Sequence, residues 1–196
     1  MPSKPGFFLP ALILVDAQMA FVERERAGQR RNNPDAVGNM ARLLDMFRRR
    51  NLAIFHIRHA STEKDSALRP ERSGYQPIQQ AAERVGEPVL VKHVNSAFIG
   101  TDLEKRLRDG GHKTLIIAGI TTNHCVETTT RMAGNLGFEA QLVRDACYTF
   151  DRVGFDGRTE SAEAIHAMTV SNLDGEFASI VTTDAVLAAL ADTIAA

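Results

Sequence analysis

This sequence predicts an α/β fold, a doubly wound, six-stranded and mostly parallel sheet flanked by helices. Three observations point that way. Short apolar runs alternate with amphipathic helical patterns along the chain, at the spacing of strand–helix–strand units. Most of those runs are continuously apolar rather than alternating, as in strands covered on both faces. Finally, 196 residues with 44% apolar content and little low-complexity sequence suit one domain, residues 1–196, with a sizeable core.

Ala11-Leu12-Ile13-Leu14-Val15 is the first strand, with Asp16 at its carboxyl end. The polar segment from Glu23 to Asn33 reads as loop, after which Pro34 opens a helix at a position that proline tolerates. Val37, Met40, Ala41, Leu44 and Phe47 fall on one face of that helix, and Arg48-Arg49-Arg50 suits its carboxyl end. Leu52 to Ile57 forms the second strand, followed by Arg58 and His59. The stretch from Ala60 to Pro88 is too long for an ordinary connection and is expected to be a functional loop, lid or subunit contact, with a helical turn or two within Gln79 to Val85. Val89-Leu90-Val91 is a short third strand ending at Lys92. Thr101 is the expected N-cap of the next helix, with Glu104 completing a capping box and Gly110-Gly111 as the stop. Leu115 to Ala118 is the fourth strand, and Val126, Thr129, Ala133 and Leu136 line the helix after it. Glu139 to Val143 is the fifth strand, with Asp145 just past its end. Thr159 to Asn172 reads as helix, Ala178 to Val181 as the sixth strand, and Asp184 as the cap of a last helix striped by Leu187, Leu190 and Ile194.

A formal charge of −1 with no sustained basic block argues against nucleic acid or an anionic membrane as the main partner. Two cysteines, Cys125 and Cys147, make neither a disulfide framework nor a zinc-type set, so a reducing compartment is expected. The apolar start, Phe7 to Val15, is broken by Pro10 and too short to span a bilayer, and a cytoplasmic protein is the expectation.

The chemistry concentrates on Gly119-Ile120-Thr121-Thr122-Asn123-His124-Cys125-Val126. Cys125 falls in the first turn of a helix that starts at a strand's carboxyl end, where unpaired N–H groups and the helix dipole favour thiolate over thiol. A small buried core cysteine is the alternative at that position. Asp16 and Lys92 share the same address at the ends of other buried strands, and neighbouring strand ends about 4.8 Å apart let such side chains converge. Small ligands also collect at the carboxyl ends of the strands in open α/β sheets.

Three motifs occur in order: Asp16-x-Gln18-x-x-Phe21, Val91-Lys92-x-x-x-Ser96-Ala97-Phe98-x-Gly100-Thr101-x-Leu103, and Gly119-x-x-Thr122-x-x-Cys125-Val126. In these the chain resembles the isochorismatase-like cysteine hydrolases. The resemblance runs from about Leu12 to Asp145. It implies a six-stranded parallel sheet in Rossmann-like order and an Asp-Lys-Cys triad, here Asp16, Lys92 and Cys125. It further implies an oxyanion hole from the backbone N–H groups of Thr121 and Cys125, a cis peptide between Ile120 and Thr121, and assembly into homo-dimers or homo-tetramers. Gln18, Phe21, Phe98, Asn123 and His124 are the expected substrate neighbours by position, although His124 reads equally well as an exposed first-turn residue.

The nicotinamidase branch of that family adds an Asp-x-His pair and a further histidine that bind a metal. Here His56-Ile57-Arg58-His59 is followed by no third histidine in the polar insertion, so no metal and no cofactor are expected. True isochorismatases cleave a vinyl ether, and the best-known of them lack the cysteine. Cys125 therefore favours metal-independent C–N hydrolysis of a small amide, carbamoyl or ureido substrate through a thioester. An isochorismatase-type ether hydrolase and a non-catalytic binding protein on the same fold are the alternatives.

Overall fold

The structure, a computed structural model, describes residues 9–192. In chain order its elements are β1 (Ala11–Val15), α1 (Met19–Arg26), α2 (Ala36–Arg49), β2 (Ala53–His59), β3 (Val89–Lys92), α3 (Leu103–Asp109), β4 (Thr114–Ile120), a π-helical turn (Thr122–Val126) running into α4 (Glu127–Asn135), β5 (Glu139–Tyr148), a two-stranded hairpin of β6 (Arg152–Val153) and β7 (Thr159–Glu160), α5 (Ala162–Leu173), β8 (Ser179–Val181) and α6 (Thr183–Asp192). Six strands form one sheet in the order β3-β2-β1-β4-β5-β8, with every pairing parallel. No helix among the described residues is long and apolar enough to cross a membrane.

Every residue of β1 is buried, because the period-two side chains of a central strand enter two separate cores. Leu12 and Leu14 join Met40, Leu43, Leu44 and Phe47 of α2 and Val186 and Leu190 of α6. Ala11, Ile13 and Val15 join Leu103 and Leu107 of α3, Ala133 of α4 and Leu173 of α5. Burying a side chain of this size contributes about 1.5–3 kcal/mol. The two layers thus fix the sheet register, and the register fixes which residues emerge at its carboxyl edge.

Five elements depart from the sequence expectation. One is the helix expected from Thr159: Thr159 and Glu160 pair with Val153 and Arg152 as β7, and α5 starts only at Ala162, where Ser161 caps it by accepting from Ala164 N at 3.1 Å. The expected loop from Glu23 begins as helix, α1 running from Met19 to Arg26, because Ala20 and Phe21 find a core to pack on. β5 continues through Asp145 to Tyr148, its pairing jumping from Ile117 opposite Leu142 to Gly119 opposite Cys147. Asn33 Nδ2 donates to the Arg144 and Cys147 carbonyls at 3.0 and 2.7 Å, and Asn39 Nδ2 to that of Asp145 at 2.9 Å, so the irregular stretch is satisfied by side chains. At α3 the N-cap is Asp102 rather than Thr101 and the capping box does not form: Thr101 Oγ1 accepts from Leu103 N at 3.3 Å, while Glu104 accepts from Arg108 Nε at 2.8 Å. At α6 the cap is Thr182, whose Oγ1 accepts from Ala185 N at 3.2 Å, while Asp184 pairs with Arg42 at 2.5 Å. Ile194, expected on the apolar stripe of α6, lies outside the described residues. The long insertion after β2 holds two 3-10 turns, Ser73–Tyr75 and Gln79–Ala81, the second within the stretch where the sequence predicts a helical turn.

Candidate active site

β1, β2, β3 and β4 end side by side, and each delivers one polar group to the same spot. Beyond Val15 the chain turns through Asp16, which adopts φ 48°. A left-handed aspartate is uncommon and tolerated, and here it swings the carboxylate across the strand ends. Asp16 is fully buried. On the other side β4 passes β1 at Gly119, where a Cβ would lie 2.0 Å from the Val15 carbonyl oxygen and where φ is 140°. Only glycine allows that approach. The next peptide, Ile120–Thr121, is cis, as the resemblance implies.

Lys92, 0% exposed, donates from Nζ to Asp16 Oδ2 at 2.7 Å. The same Nζ lies 3.1 Å from His59 Nδ1 at the end of β2. Cys125 is half-buried on the π-helical turn, and its sulfur, a carboxylate oxygen of Asp16 and a ring nitrogen of His59 all lie within 4.8 Å of one another. Among the described residues, Asp16 Oδ1 is buried and finds no hydrogen-bond partner. A carboxylate oxygen held out of water and left without a donor is costly unless a donor arrives during function. The turn itself is widened: the Thr121 carbonyl accepts from His124 N at 3.2 Å and Val126 N at 3.4 Å, and the Cys125 N–H between them is passed over.

Electrostatically, the thiol rests protonated. Burial pushes the Cys125 thiol up to about 12, and the Asp16 charge adds to this while Lys92 opposes it. A helix start by itself favours thiolate, but here desolvation and a neighbouring carboxylate outweigh the turn's dipole. Burial also raises the Asp16 carboxyl, with Lys92 pulling it back down. A protonated thiol beside a lysine-paired carboxylate is an arrangement that can pass a proton when the sulfur attacks. Asp16, His59 and Cys125 have the donor types of a metal set, but Asp16 Oδ2 and His59 Nδ1 already face the Lys92 ammonium, which an entering cation would meet head-on.

Asp16, Lys92, Cys125 and the backbone of Thr121 are thus brought together. Among the expected substrate neighbours, Asn123 and His124 stand on the nucleophile's turn. Asn123 Oδ1 accepts from Thr149 Oγ1 at 2.5 Å, and Asn123 borders an open cavity of about 470 Å³ lined also by Arg152, Val153, Phe155 and Ile165. His124 is exposed and feels the charges of Arg152 and Arg24. Phe21 packs in the core with Phe150, ring centroids 6.5 Å apart, and Phe98 stacks on Phe138 at 5.9 Å. Gln18 is buried, its Nε2 donating to the His59 and Tyr75 carbonyls at 3.1 and 3.0 Å and its Oε1 accepting from His59 N at 2.8 Å. His56 sits against Glu87 at 2.8 Å, away from the site, and Arg58 is taken by Glu83 at 2.8 Å. Two residues of the cluster are absent from the site that the sequence predicts: His59, and Asn95, whose Oδ1 lies 3.9 Å from Cys125 Sγ. The signal is the place of His59 as the last residue of β2 and of Asn95 in the loop that follows β3.

The family profile described as Isochorismatase domain matches residues 10–185. The chain belongs to the isochorismatase family. Among curated members, the isochorismatase family protein YrdC of Bacillus subtilis is 39% identical over 175 residues, which is 89% of this chain and 92% of the relative. Nicotinamidase 3 of Arabidopsis thaliana is 28% identical over 193 residues, 92% of this chain and 88% of the relative. A crystal structure of an isochorismatase-family protein from Chromobacterium violaceum superimposes with a TM-score of 0.90 at 42% identity, covering 98% of each chain.

Proposed function

We propose that this isochorismatase-family chain is a metal-independent cysteine amidohydrolase that cleaves a C–N bond of a small amide, carbamoyl or ureido compound through a thioester on Cys125. The supporting observation is the buried Asp16 carboxylate, salt-bridged to Lys92 through one oxygen, unpartnered at the other and within reach of the thiol. The amidase named among its relatives agrees with that chemistry. As Cys125 Sγ bonds to the substrate carbonyl carbon, its proton passes to Asp16 and the carbonyl π electrons move onto oxygen. The N–H groups of Thr121 and Cys125 hold that oxyanion, each donor contributing about 3 kcal/mol in the transition state. Collapse breaks the C–N bond, and Asp16 returns the proton to the departing nitrogen. A water deprotonated by Asp16 then attacks the thioester and releases the acid and the thiol. Lys92 favours the ionised form of Asp16 at the start of each half, when it must accept a proton. The cavity beside Asn123 is of the size that small ligands occupy and would hold the remainder of the substrate.

The test is release of ammonia, amine or pyruvate from a panel of primary amides, carbamoyl and ureido compounds and isochorismate, comparing the native chain with Cys125→Ala. Nitrogen release that survives dialysis against chelator and vanishes in the variant is the expected result. Product from isochorismate alone, retained in Cys125→Ala, would replace the reading with ether hydrolysis.

A further inference from the structure

We propose that His59 is a positioning residue of this site: a neutral imidazole, held as the tautomer protonated on Nε2, whose Nδ1 lone pair receives one N–H of Lys92 and so aims the ammonium at Asp16 and Cys125. The proposal builds on the assignment of Asp16, Lys92 and Cys125 as one catalytic group. An ammonium has three donors and no acceptor, so the 3.1 Å contact between Lys92 Nζ and His59 Nδ1 requires a lone pair on Nδ1. The proton of the neutral ring is then on Nε2.

The backbone leaves the ring little choice of place. On the β1 side, Gln18 holds both the N–H and the carbonyl of His59, at 2.8 and 3.1 Å. On the β3 side, Ala60 N donates to the Lys92 carbonyl at 2.8 Å, zipping the residue after His59 to the residue it supports. Buried Gln18 therefore acts on the site through His59, which gives its position in the first motif a physical purpose. The charged and titratable groups facing the ring are Lys92 and His93 from β3 and the loop after it, Asp16 from the end of β1 and Cys125 from the π-helical turn. Burial and the Lys92 charge push the His59 imidazole below its ordinary range, while Asp16 pulls it up. Once protonated, Nδ1 becomes a donor and a second cation faces Lys92, so the lysine loses its aim and turnover falls on the acid side.

The test needs no substrate: nitrogen-15 NMR of the histidine side chains in the full chain, with the His59 signals assigned by their absence in His59→Asn. The expected spectrum shows His59 protonated on Nε2 at neutral pH, titrating below an ordinary imidazole, and titrating at higher pH in Lys92→Met. An Nδ1–H tautomer, or an unchanged titration in a folded Lys92→Met protein, would overturn the proposal whether or not the chain hydrolyses amides. Kinetics with any panel compound that turns over add a second arm. His59→Phe keeps a ring and removes the acceptor, and should lower kcat at least about tenfold with little change in KM. His59→Asn restores an acceptor near the Nδ1 position, and should recover part of kcat and move the acid limb to lower pH. Equal kcat in the two variants, or an unmoved acid limb in His59→Asn, would also refute the positioning role.

Discussion

Replacing Lys92 by methionine keeps the length of the side chain and deletes its charge. Lys92 is fully buried and its Nζ lies 2.7 Å from Asp16 Oδ2, so the variant leaves a buried carboxylate without a counter-charge. Breaking a buried pair from one side costs about 3–5 kcal/mol. For a domain of this size each kcal/mol moves Tm by about 2–4 °C, which places the loss at about 6–20 °C near neutral pH. The dependence on pH has a definite sign. With Lys92 gone, burial raises the folded-state Asp16 carboxyl further above its unfolded value, so the protonated acid is the stable folded form. Stability linked to that group is complete below the unfolded pKa and is lost as pH rises through the folded one. Proton uptake by His59, released from the Lys92 charge, acts in the same direction. The Tm deficit of Lys92→Met against the native chain, followed by thermal unfolding from pH 5 to pH 8, should therefore be smallest at pH 5 and grow steadily. A deficit under about 2 °C, or one that is flat across that range, would refute the description of Asp16 and Lys92 as a buried, mutually dependent pair.

The same geometry makes three further outcomes measurable. Gly119→Ala drives a Cβ to 2.0 Å from the Val15 carbonyl oxygen at φ 140°, so it should cost at least about 3 kcal/mol and lower Tm by about 6–12 °C; a native-like melting curve would show that β1 and β4 are not so close. Asp16→Asn should abolish turnover yet make Cys125 more acidic, because the Asp16 charge is among the causes that push the thiol up to about 12; the midpoint of alkylation rate against pH should move down, and an unmoved midpoint would contradict the coupling. Despite partial burial, Arg48, the Arg84 N–H and His56 hold the Glu87 carboxyl down to about 2, so its stabilisation is present above the unfolded pKa and is lost as pH falls toward 2. Glu87→Gln should accordingly cost about 2 kcal/mol, or 4–8 °C in Tm, at pH 7 and little at pH 3, and an equal loss at both would separate that cluster from its charge.

What the sequence makes legible is whatever is written locally. Continuous apolar runs mark most of the sheet strands, and the polar residue ending such a run marks Asp16, Lys92 and the cysteine turn, because a parallel sheet exposes its chemistry where strands stop. Long-range pairing stays hidden. Residues 19–26 carry a weak apolar pattern and become helical through Ala20 and Phe21 meeting a core assembled from distant elements. β5 runs on past polar Arg144 and Asp145 because Asn33 and Asn39, more than a hundred residues earlier, satisfy its irregular carbonyls. The protonated resting state of Cys125 depends on burial and on Asp16, neither of which a local reading of a helix start contains. Position alone marks Gln18 as a pocket residue, whereas its amide is spent on the backbone of His59 and Tyr75, a contact visible only once β1 and β2 are paired.

The most direct test of Cys125 as the nucleophile is to quench the working enzyme in acid during turnover of a panel compound and weigh the peptide that contains residue 125. The expected result is an added acyl mass on Cys125, labile to hydroxylamine and absent in Cys125→Ala, which also fails to turn over. Sustained C–N hydrolysis with no adduct, and with activity retained in Cys125→Ala, would contradict it and leave Asp16 and Lys92 to activate water without a covalent intermediate.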